Sequence, residues 1–176
     1  MYQVNENVLY GSQGVCRITE ITTKEFQGTQ TDYYILKPLE NSASTIYVPV
    51  NNKTLTEKMR RVLSPEEIVQ LIDSIPREPS AWIENDNDRK ETYKKILSGG
   101  DRMALLKVIQ ALYLHQEALR QKGKRLHLAD EHIFKAAEKI LYDEFSLVLH
   151  ITPEQVPPFI RNRIQHAENA SALPSA

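Results

Sequence analysis

The sequence predicts an α+β protein in two parts: a small antiparallel β module, then a compact all-α bundle of about five helices. Three observations predict it. Residues 1–60 hold short runs of β-branched and aromatic residues divided by turn-forming clusters. From residue 64 the apolar period lengthens from two to that of a helix. The polar stretch 51–64 between them ends in a helix-start signature. A length of 176 residues suits one ordinary domain or two small ones, and the division expected here is 1–60, 64–166 and a flexible tail, 167–176.

In the first part, "TIYVPV" alternates cleanly, with Ile46, Val48 and Val50 on one side and Thr45, Tyr47 and Pro49 on the other. "DYYILKPL" is rich in strand formers, and "GVCRITEI" is β-branched but less regular. Turns are marked by Gly11 and Gly14, by "QGTQ" at 27–30 and by "ENSAS" at 40–44. Short strands spaced this way predict a small, strongly bent antiparallel sheet or barrel.

In the second part, Ser64, Pro65 and Glu67 form a capping box with proline at the first helical position. Pro76 and Pro79 stop that helix. A second helix is expected from near Asn87 to Leu97, with Asp86, Asn87 and Asp88 all suitable N-caps and Gly99–Gly100 as its end. A third starts at Asp101, with Leu105, Val108, Ile109 and Leu112 on one stripe, and stops at Gly123. The fourth covers about 129–148, and "TPEQ" at 152–155 opens a fifth, to about 166. Beyond it there is too little apolar material to order the chain.

Formal net charge is −1, but the charges are segregated. Residues 64–88 carry seven acids against one base, and residues 89–139 carry twelve bases against six acids. Such an excess is either a set of solvated helix surfaces or a positive face able to hold an anionic partner. The single cysteine, Cys16, suits a reducing compartment, and there is no apolar run of 18 residues or basic N-terminal region. A soluble cytoplasmic protein is expected. The five histidines lack metal-ligand spacing, and no Walker loop, GxSxG elbow or GxGxxG is present. The expectation is therefore a protein without cofactor or catalytic centre.

The lone tryptophan, Trp82, stands at the junction of the acidic and basic segments, in "REPSAWIENDNDRKETYKK". It has two readings. It could pack on the following helix as a hydrophobic staple. Or it could remain at the surface as an interface anchor, or as a wedge entering the minor groove, with Arg89, Lys90, Lys94 and Lys95 holding phosphates beside it.

"YQVNENVLYGSQGVCRITEI", "GTQTDYYILKPL" and "TIYVPV" together resemble the polymerase-interacting module of the CarD family of bacterial transcription regulators. The order that follows resembles it too: "EPSAW", a Lys/Arg-bearing helix ending in "SGGD", then further helices, over roughly residues 1–150. The resemblance implies a Tudor-like β fold shared with transcription-repair coupling factors, docking on the RNA polymerase β subunit through an exposed strand. On this sequence that strand holds Ile46, Tyr47 and Val48, with Lys24 at a second contact position. Tyr47 stands where other members often carry arginine. The resemblance further implies a helical domain on promoter DNA at the upstream edge of the transcription bubble, with Trp82 in the minor groove slowing collapse of the open complex. The acidic segment 84–88 is longer than its counterpart in other members. The competing reading is a polymerase-binding adaptor whose bundle engages another protein, with Trp82 as its hot spot.

Overall fold

The computed structural model describes residues 1–172 and has an N-terminal five-stranded antiparallel sheet followed by a bundle of helices. The strands are β1 (Asn7–Tyr10), β2 (Val15–Phe26), β3 (Thr29–Pro38), β4 (Ile46–Pro49) and β5 (Met59–Arg61), in the order β4-β3-β2-β1-β5. The short helix α1 (Lys53–Thr56) links β4 to β5. The helical part comprises α2 (Pro65–Asp73), α3 (Asp86–Gly99), α4 (Arg102–Gln121), α5 (Leu128–Leu149) and α6 (Val156–Ala172).

The sheet bends where the pairing of β2 with β3 slips between Ile18 and Glu20, a bulge that raises local twist. One face closes over a small core of Val8, Cys16, Ile18, Tyr34, Leu36, Val48 and Met59. The alternation expected for "TIYVPV" is present: Val48 is fully buried, Ile46 and Val50 pack on the same core, and Tyr47 faces solvent. Cys16 packs as a small apolar residue, and burial pushes its thiol up to about 11.

The helix starts follow the capping chemistry. Ser64 Oγ accepts from the Glu67 N–H while the Glu67 carboxylate accepts from the Ser64 N–H. Asp101 caps α4 through the Ala104 N–H. For α3 the cap is Asn85, whose side-chain oxygen accepts from the N–H groups of Asn87 and Asp88 at 3.0 Å each. Asp86 and Asp88 thus fall in the first turn, where their charge complements the helix dipole. Most of the acidic segment is helix start rather than spacer. At the other end, α6 runs to Ala172, six residues beyond the expected stop near 166. The last residues of the expected tail, 173–176, lie outside the described residues.

The two parts share buried surface. Successive residues of β1 point to opposite sides, so Val8 enters the sheet's own core while Leu9 joins Val15 in the larger core of the helices. The turn at Gly11–Gln13 rests on the C-terminal end of α3. Gly11 has φ +47°, and a Cβ there would lie 3.0 Å from the Ser98 carbonyl oxygen. Only glycine fits both requirements. A second junction is ionic: the carboxylate of Glu144 on α5, fully buried, accepts two hydrogen bonds from the Arg102 guanidinium (2.8 and 2.6 Å). It also accepts from the Leu63 N–H at 3.0 Å, and Arg102 donates onward to the Arg61 carbonyl at 2.6 Å. The end of the sheet is therefore tied to α4 and α5.

Candidate functional site

Two surfaces collect the residues singled out in the sequence. The first lies on the sheet. Strand β4 pairs with β3 alone and forms an outer edge, so one side of its main chain is open. Tyr47 is 48% exposed, the Lys24 ammonium sits 4.6 Å from the centre of its ring, and Tyr33 meets the same ring edge-on at 6.3 Å. Sequence alone treats Lys24 and Tyr47 as separate positions; the register of β2, β3 and β4 makes them one cation–aromatic cluster. Val48 needs correction as a contact residue. Its side chain is fully buried in the sheet core, so it offers a partner only main chain.

The second surface surrounds Trp82. Residues 77–84 have no regular structure, and among the described residues no main-chain hydrogen bond holds them. The indole lies half-buried against α4, stacked on His115 with ring centres 3.7 Å apart and planes 9° from parallel. The guanidinium carbon of Arg89 sits 4.5 Å from the indole centre. Beside the ring runs a groove of about 380 Å³, walled by Pro79, Ser80 and Ala81 on one side and by Ala111, Leu114 and Ala118 of α4 on the other. The groove exists because the alanines at 111 and 118, two turns apart on one face, leave room that larger side chains would fill. Trp82 thus falls between the two readings: it packs on the bundle's core, yet part of the ring stays accessible.

Arg89 also needs correction. It is not a surface cation ready for phosphate. Its side chain is 3% exposed and committed to a bidentate pair with Asp130 of α5 (2.9 and 2.7 Å), a bond to Asp86 (2.7 Å) and one to the Ile83 carbonyl (2.8 Å). The hydrogen bonds it donates to Asp130 hold the guanidinium well above its ordinary range, and the one it donates to Asp86 holds that carboxyl below its own. A charge so neutralised positions its neighbours and attracts nothing at long range. Lys90 and Lys94 do stand on the exposed side of α3, one turn apart, without ion-pair partners among the described residues. Neither touches the indole; Lys95, the next residue, pairs with Glu91.

Sequence reasoning missed two features. His115 sits three residues after buried Leu112 on the stripe of α4, so helical spacing could have marked it as facing the bundle. The other is the basic turn between α4 and α5, where Arg120, Lys124 and Arg125 ring a recess of about 530 Å³ and Lys122 is also exposed. Arg120 lies five residues beyond His115, about 7.5 Å along the helix axis. Its neighbour Leu126 is buried, which ties this turn to the bundle. The signal was the twelve-base count of 89–139, but only the fold shows which of those bases stand beyond the groove. Among the described residues no cluster of His, Cys, Asp or Glu is placed to hold a metal ion, and no helix is long and apolar enough to cross a membrane.

Two family models match the chain. Residues 2–63 match the CarD-like/TRCF RID domain, and residues 68–161 match the CarD C-terminal domain. The gap between the matches coincides with the start of α2. No curated protein matches the chain.

Proposed function

The chain belongs to the CarD family of RNA polymerase-interacting transcription regulators, and from that premise we propose that it stabilises the open promoter complex by bridging polymerase and upstream DNA. The β4 edge, with Tyr47 and Lys24 beside it, docks on the polymerase β subunit. The helical part lies against the minor groove at the upstream edge of the bubble. Trp82 enters there, and Lys90, Lys94 and the basic turn at 120–125 contact phosphates.

The observation that carries this reading is the state of Trp82: the lone tryptophan lies against α4 at the mouth of a groove and is only half-buried. Binding to polymerase supplies a high effective concentration, so the DNA half needs neither base-reading side chains nor a strongly basic chain. An indole that fits only the opened junction stabilises the open state by its differential affinity alone. The test is open-complex lifetime with purified polymerase. Trp82→Ala should retain polymerase binding and remove the lifetime extension given by the wild-type protein. An unaltered lifetime with the variant demonstrably bound refutes the wedge.

One observation favours the adaptor reading. Leu114, 44% exposed on the groove wall, extends the apolar surface around Trp82 and suits a protein partner. The two readings separate by salt. Phosphate contact makes DNA affinity fall steeply with salt and with Lys90→Glu/Lys94→Glu, whereas an adaptor's weak DNA binding is indifferent to both.

A further inference from the structure

Resting on that reading of Trp82, we propose that His115 is a positioning residue: its imidazole is the flat support that sets the plane of the indole before DNA arrives. Three observations carry this. The segment bearing Trp82 cannot hold the ring by itself, because between residues 77 and 84 its main chain receives hydrogen bonds, among the described residues, only from the Arg89 side chain, at Ile83 and Glu84. The indole is therefore placed by what touches its ring. One such group, Arg89, is locked by Asp130 and Asp86. The ring that faces it is His115, on α4, within 9° of coplanar with the indole.

The imidazole itself has no hydrogen-bond or ion-pair partner among the described residues; stacking is its one specific contact. A polar ring with both nitrogens uncommitted, on a groove wall otherwise lined by alanine and leucine, is accounted for by its shape. Truncated to alanine, the wall would offer aliphatic groups but no flat surface, and the indole would sample several rotamers. Immobilising such a side chain on binding would then weaken the bound state about two- to tenfold. Held in advance, the ring loses little freedom when it docks.

Because Trp82 is the chain's single tryptophan, its emission reports this support directly. Three proteins are compared with wild type: His115→Ala, His115→Phe and Trp82→Ala. Alanine is a strong helix former and position 115 is half-exposed, so α4 tolerates the first change. His115→Ala should lower the anisotropy of Trp82 emission, raise its quenching by acrylamide and reduce the extension of open-complex lifetime about two- to tenfold. His115→Phe, which keeps a flat ring, should restore both the fluorescence and the lifetime. Unchanged fluorescence in His115→Ala overturns the inference, as does failure of phenylalanine to rescue. A lifetime unchanged by His115→Ala but lost in Trp82→Ala overturns the positioning role and leaves the wedge standing. A lifetime indifferent to Trp82→Ala overturns the wedge itself, and the inference with it.

Discussion

Replacing Glu144 with glutamine changes one atom at the junction of sheet and bundle, and its cost follows from the hydrogen bonds there. The carboxylate accepts three of them, two from Arg102 and one from the Leu63 N–H, with no exposure to solvent. An amide has one acceptor oxygen, so its NH2 must face either a guanidinium N–H or the Leu63 N–H, donor against donor. The negative charge that neutralises Arg102 is also removed. Breaking a buried pair by altering one partner costs about 3–5 kcal/mol. Arg102 is 12% exposed, so water recovers part of this, and about 3 kcal/mol is expected. In a chain of this size that corresponds to a loss of about 6–12 °C in Tm. Urea unfolding of wild type and Glu144→Gln, followed by far-ultraviolet circular dichroism, measures it. Arg102→Met and the double variant complete a cycle in which the second change costs far less than the first, because both remove one interaction. A loss below about 1 kcal/mol for Glu144→Gln, or additive costs in the cycle, would refute the buried carboxylate as the tie between the parts.

Two other outcomes are expected. Gly11→Ala introduces a Cβ 3.0 Å from the Ser98 carbonyl at a φ of +47°, and should cost about 1–3 kcal/mol in urea unfolding; Gly123→Ala, at φ +68° with open space around it, serves as the control for backbone strain without the contact. The Glu67 carboxyl is held down at about 2, first by its hydrogen bonds from Arg61 and then by the Ser64 N–H. A depressed folded-state pKa contributes stability above the ordinary value of 4.5 that is lost as pH falls through the folded value. The stability difference between wild type and Glu67→Gln should therefore be constant near neutrality and close between about pH 4.5 and 2.

Much of this molecule is legible in the sequence because its signals are local. The Ser64 capping box, the Asp101 cap, the glycine stop after α3 and the alternation of "TIYVPV" each depend on residues a few positions apart. The family's motifs are local as well, and they indicate Trp82. The two corrected site residues illustrate the limit. Arg89 lies in a basic run and reads as a phosphate contact, but Asp130, 41 positions away, claims its guanidinium. Val48 belongs to the docking strand, but the direction of its side chain along that strand sends it inward.

By itself the sequence determined the α+β class, three of the strands, the five longer helices in their order, and the residue around which function is proposed. Those depend on periodicity, caps and motif, which neighbours along the chain decide. The tertiary structure decided which charges are spent and which remain free. It paired Arg89 with Asp130 and Arg102 with Glu144, left Lys90 and Lys94 in solvent, and laid Trp82 on His115, thirty-three positions distant. The physical reason is that a side chain's charge and mobility are set by the groups that surround it in space. In "EPSAW" the indole is only present; on α4 it has a plane.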